Sequence, residues 1–87
     1  MTMVEHIKKI LNAEFNPLTI EVIDESHLHA GHMGSREGGE THFRIRCVSS
    51  DFNGKTRLEQ HRLVNTALAH ELNTSIHALA LELKATP

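Results

Sequence analysis

"THFRIRCVSSDFNGKTRLEQHRLV", Thr41 to Val64, carries three consecutive signals that decide the fold. From His42 to Ser49, Phe43, Ile45 and Cys47 alternate with Arg44 and Arg46, the two-residue period of a strand with one buried face. Asn53-Gly54 follows as a turn, since glycine takes backbone conformations that other residues avoid. Thr56-Arg57-Leu58-Glu59 then has the spacing of a capping box, with Thr56 as the cap and Glu59 reaching back. The helix opened there is expected to run to about Leu72, burying Val64, Ala67, Leu68 and Leu72, with Asn73-Thr74 breaking it.

Upstream, Val4, Ile7, Leu11 and Phe15 fall at helical spacing, so Met3 to Phe15 reads as an amphipathic helix. Thr2 can cap its start, and Asn16-Pro17 ends it, because proline lacks the amide and restricts the preceding residue. Leu18, Ile20 and Val22 then alternate with Thr19 and Glu21, which predicts a half-buried strand. Downstream, Ala78 to Lys84 alternates again with Leu79, Leu81 and Leu83 inward, and His77 shares their parity at the strand's entrance. The order is α–β–β–α–β, with a short helical turn at Ser75-Ile76 before the last strand. The expected class is α/β in the α+β sense: one domain over residues 1–87, a three-stranded sheet with helices packed on one face. The first two strands should form a hairpin, although their connection is far longer than the usual two to five residues.

Composition narrows the function classes. With 39% apolar residues, three Phe and no Trp or Tyr, the core must be largely aliphatic. A formal charge of −2 and a pI near 6.4 argue against a general polyanion binder, so any nucleic-acid contact must rest on a local patch. One cysteine, Cys47, excludes an internal disulfide and CxxC-type motifs, and its parity makes it a core residue. No stretch approaches 18 apolar residues, and MTMVEHIKKI lacks the features of a signal peptide, so a cytoplasmic domain with no membrane partner is expected.

The connection from Glu25 to Phe43 holds four of the eight histidines beside several glycines. His27, His29 and His32 have H-x-H-x-x-H spacing, and imidazole is the commonest metal-binding side chain. In a loop that spacing fixes no geometry, so a metal or cluster site, a pH-responsive loop and solvated histidines all stay open. His42, at the far end of the connection, reads as a partly exposed cross-strand residue on the Arg44 face. His77 reads as a structural hydrogen-bonding residue unless a loop histidine faces it. Lys55, Arg57, His61 and Arg62 make a basic start to the longer helix; they can contact phosphates or simply solvate that face, and Lys8 and Lys9 could extend the patch. With no second cysteine, no GxSxG, no P-loop and no carboxylate pair signalled by spacing, a binding module is expected rather than an enzyme.

"SHLHAGH", "GETHFRIRCVSSDFNGKTRLEQHRLVNTALAHEL" and "IHALALELKATP" together resemble the BolA family, in its histidine-loop branch. The resemblance spans about Val4 to Pro87, and ETHF, F-x-G, H-R-x-V and HAL occur in order. Gln60 departs from it, standing where the family usually has Arg. The resemblance implies a fold similar to class II KH domains, without the GxxG loop that grips RNA. It also implies a heterodimer with a monothiol glutaredoxin sharing a [2Fe–2S] cluster, completed by glutathione, in iron–sulfur homeostasis and stress response. Carried onto this sequence, the ligands so implied are His77 from the HAL segment and His32 from the loop, with His42 as alternative or accessory. The competing implication is a stress-induced morphogen and transcriptional regulator that reads DNA through Lys55, Arg57, His61 and Arg62, with the longer helix acting like a helix-turn-helix reader.

Overall fold

The computed structural model describes residues 2–25 and 42–87. Helix α1, Met3–Phe15, forms on the expected stripe and buries Ile7, Leu11 and Phe15, with Val4 half-buried. The Thr2 hydroxyl accepts from the Glu5 amide at 3.2 Å. At the other end Asn16 takes a left-handed φ of 41° and returns its N–H to the Asn12 carbonyl. Asparagine tolerates that conformation better than most residues.

Strand β1, Thr19–Asp24, pairs antiparallel with β2, His42–Val48, as the hairpin reading expects. Strand β3, Ala78–Lys84, lies parallel to β2 in a register running from His42↔Ala78 to Val48↔Lys84. Parallel neighbours need a long crossover. It consists of a 3-10 turn at Ser50–Phe52, helix α2 at Arg57–Ala67 and helix α3 at Ala69–Thr74. The central β2 therefore has one partner of each orientation.

The pleat separates the two faces. Phe43, Ile45 and Cys47 are buried in one cluster with Ile7 and Leu11 of α1, Phe52 of the turn, and Val64 and Leu68 beyond it. Burial pushes the Cys47 thiol pKa up, as befits a core residue. On the other face, Arg44 bonds Glu25 at 2.9 Å and Glu82 at 2.8 Å, while Arg46 bonds Glu21 and Glu82. Ser49 is fully buried; its hydroxyl donates to the Phe15 carbonyl at 2.9 Å and accepts from the Asp51 amide at 3.1 Å. That side chain fastens the end of α1 to the turn after β2.

Three expectations need correction. Leu18 is 67% exposed, because the strand starts one residue later and Leu18 lies at the sheet's rim, outside the helices' cover. The longer helix does not run unbroken to Leu72: Leu68, at φ −105° and ψ 19°, divides α2 from α3, with Ala67 and Leu72 only half-buried. Helix propensity gives no reason for that break, but Leu68 is completely buried, so tertiary packing overrides it. The short helical piece lies at Ala69–Thr74 instead of Ser75-Ile76, whose amides both donate to the Glu71 carbonyl as it closes.

Candidate functional site

Parallel pairing places the start of β2 beside the entrance of β3. There His42 and His77, far apart in sequence, bring their rings to 5.1 Å between centroids at a 56° tilt. His42 is only 7% exposed, not the partly exposed residue expected, and its ring contacts another imidazole. His77 is exposed and precedes the strand, so it follows neither the strand's parity nor its inward leucines. Next to the pair an open pocket of about 250 Å³ is lined by Glu25, His42, Arg44, Ala78 and Ala80, among others. Arg44 is held protonated there, its pKa raised by hydrogen bonds to Glu25 first and then Glu82.

Two imidazoles at this spacing could supply part of a metal's ligand set. Two imidazoles on one tetrahedral metal, each nitrogen about 2.0–2.1 Å away, have ring centroids roughly 5 Å apart. The observed spacing matches that figure. Among the described residues no group of three or more His, Cys, Asp or Glu could hold a metal ion. Any ion taken here needs ligands from elsewhere. His27, His29 and His32 lie outside the described residues, so the loop ligand expected at His32 does too.

The second candidate lies at the opposite end of the sheet. The Thr56 hydroxyl accepts from the Glu59 amide at 3.1 Å and the Glu59 carboxylate accepts from the Thr56 amide at 2.8 Å, completing the capping box. The Thr56 backbone bond is the main cause of the lowered Glu59 pKa, and Lys55 and Arg62 add to it. Lys55, Arg57 and Arg62 are exposed, and His61 is half-buried. Gln60 donates to the Phe52 and Lys55 carbonyls at 3.1 and 3.2 Å. Gln60 thus ties the start of α2 back to the turn after β2. Leu58, in the same first turn, is 58% exposed.

Sequence reasoning missed one buried charge. Glu71 on α3 is 7% exposed and shares a 2.9 Å hydrogen bond with Nε2 of His6 on α1. That bond is the first cause of its lowered pKa. Neither residue stands in a motif, and nothing local signals a partner so distant in sequence.

The arrangement defines a class: a small α+β binding domain on a mixed three-stranded sheet, with an imidazole pair at one end and a cationic helix start at the other. The chain belongs to the BolA-like protein family, whose model matches residues 11–87. It is 47% identical over 83 residues to an uncharacterized protein in the cobS 5' region of a Sinorhizobium species, covering 94% of this chain and 89% of that one. It is 43% identical over 81 residues to the DNA-binding transcriptional regulator BolA of Escherichia coli strain K12, covering 93% and 73%. Among solved structures, the BolA domain of SufE1 from Arabidopsis thaliana superposes with a TM-score of 0.88 at 39% identity, covering 98% of this chain and 93% of that one. Among the described residues no helix is long and apolar enough to cross a membrane.

Proposed function

We propose that this chain is a non-catalytic BolA-like regulator that pairs with a monothiol glutaredoxin and co-ligates a [2Fe–2S] cluster shared between them. Its role is in iron–sulfur homeostasis and the stress response. His77 is the ligand at the entrance of β3, and His32 the ligand from the long connection, with His42 as its alternative or accessory. The observation that supports this reading is the contact of His42 with His77, whose 5.1 Å ring separation fits two imidazoles on one metal; it supports His77 with His42, while His32 rests on the family resemblance alone. A cluster of this type takes four ligands, and the only cysteine of this chain is buried in the core. A partner cysteine and glutathione therefore complete the set. When bound, a cluster held by neutral imidazoles in place of thiolates has a raised reduction potential. The chain's own part is to hold His77 on a packed strand entrance and to keep its thiol away from the exchange.

The test is anaerobic reconstitution with a monothiol glutaredoxin and glutathione, followed by visible circular dichroism. A heterodimer spectrum distinct from that of the glutaredoxin homodimer is expected. His32→Ala and His42→Ala then identify the loop-side ligand by which one removes the new spectrum. If adding this chain leaves the homodimer spectrum unchanged, the reading fails.

A second reading has its own support. A relative of 43% identity is named a DNA-binding transcriptional regulator, and here three exposed cations, Lys55, Arg57 and Arg62, surround the start of α2. In this reading α2 contacts the phosphate backbone, with His61 beside it. Such binding weakens with salt because counterions are released, so log K against log salt should fall with a slope of about −0.9 per phosphate contacted. Salt-independent binding would exclude it.

A further inference from the structure

Asn53 is the only asparagine in the chain that a glycine follows. This dipeptide is chemically labile because glycine leaves the next backbone nitrogen unshielded. In the structure Gly54 is exposed at φ +74°, and a Cβ built on it would meet nothing within 4 Å. Its N–H makes no hydrogen bond among the described residues. The nucleophile is therefore uncommitted.

The electrophile is restrained. The Asn53 side-chain oxygen accepts from the Thr86 amide at 2.9 Å and from the Thr86 hydroxyl at 3.3 Å, and its Nδ2 donates to that hydroxyl at 3.0 Å. Ring closure requires Cβ of Asn53 to eclipse the Gly54 nitrogen about the Cα–C bond. At the observed ψ of 134° the two are turned well apart. The rotation that would join them carries the side chain away from these bonds.

We propose that Asn53 is a site of spontaneous deamidation whose rate is set by the clamp from Thr86. The Gly54 nitrogen, having lost its proton, bonds to Cγ of Asn53. The Cγ–Nδ2 bond breaks, and the amide leaves as ammonia with that proton, giving a succinimide. Water then adds to one imide carbonyl and the bond from that carbon to the Gly54 nitrogen breaks, the nitrogen taking a proton: attack at Cγ restores the main-chain link and gives Asp, attack at the main-chain carbonyl gives isoAsp. The new carboxylate stands two residues before Lys55, where it subtracts charge from the cationic start of α2. An isoAsp product also lengthens the main chain by one methylene at the turn. The segment after β3 is thus a guard on the chemistry of the turn after β2.

The test incubates the intact chain at mildly alkaline pH and follows the peptide containing Asn53 by mass spectrometry, with isoAsp quantified separately. Thr86→Val removes the hydroxyl contacts and keeps the amide bond; Thr86→Pro removes the amide bond as well. Each of the two steps should accelerate the one-dalton gain at Asn53 by roughly fivefold. The order should be wild type, Thr86→Val, Thr86→Pro, and Asn53→Gln should show no gain there. Far-UV circular dichroism checks that each variant is folded, and if Thr86→Pro is not, the comparison of wild type with Thr86→Val decides. Equal rates in the folded chains, whether all slow or all fast, would overturn the proposal.

Discussion

The two ends of the sheet differ in what the fold brings to them. At one end β2 and β3 begin side by side, and two imidazoles from different elements meet. At the other end β2 runs into a turn and a capped helix whose cations are neighbours in sequence. The seven-residue strand between them is roughly 20 Å long. Parallel pairing of β2 with β3 imposes the separation: it sends the crossover back over the sheet, so that β3 enters beside His42 and leaves beside Ser49. The proposed cluster ligation and the alternative phosphate contact thereby fall on surfaces that share no residue and can be broken one at a time.

The largest effect should come from His77→Ala. It should abolish the heterodimer spectrum while leaving the salt dependence of any DNA binding unchanged. Next is the converse experiment, Arg57→Ala with Arg62→Ala. If both cations touch phosphates, the slope of log K against log salt should shrink by about 2, with the cluster spectrum intact. A loss of both activities in either variant would mean that the ends are coupled.

What was legible in the sequence follows the same division. The capping box, the glycine turn and the strand alternation of β2 are local and needed no knowledge of the fold, so the cationic end could be read residue by residue. The imidazole end could not, because the register of β2 against β3 depends on a crossover whose path is set by packing. His42 therefore read as a half-exposed strand residue and His77 as sharing the leucines' parity, whereas the first is buried and the second, in ring contact with it, is exposed. The break at Leu68 was hidden for a similar reason. Ala67, Leu68 and Ala69 are all good helix formers, so nothing local marks the irregular backbone at Leu68, a fully buried residue.

Smaller effects sharpen the contrast. The Glu71 pair steadies α3, which leads into His77, so Glu71→Gln should act on the imidazole end. The folded-state pKa of Glu71 is depressed below its ordinary value. Its contribution is therefore fully present above that ordinary value and is lost as pH falls through the depressed one. Denaturant titrations should show Glu71→Gln less stable by about 1 kcal/mol near neutral pH, a figure kept low because His6 is partly exposed. The difference should vanish in acid. The smallest effect is expected at the other end, where Thr56→Ala removes the cap of α2. A stability loss of about 1 kcal/mol or less should result, with no change in the cluster spectrum.

The most direct test of the account is visible circular dichroism of the reconstituted glutaredoxin complex, comparing wild type, His77→Ala and the Arg57→Ala/Arg62→Ala double variant. A heterodimer spectrum kept by the double variant and lost in His77→Ala is the predicted result. A spectrum that survives His77→Ala, or that disappears with the two arginines, would contradict it.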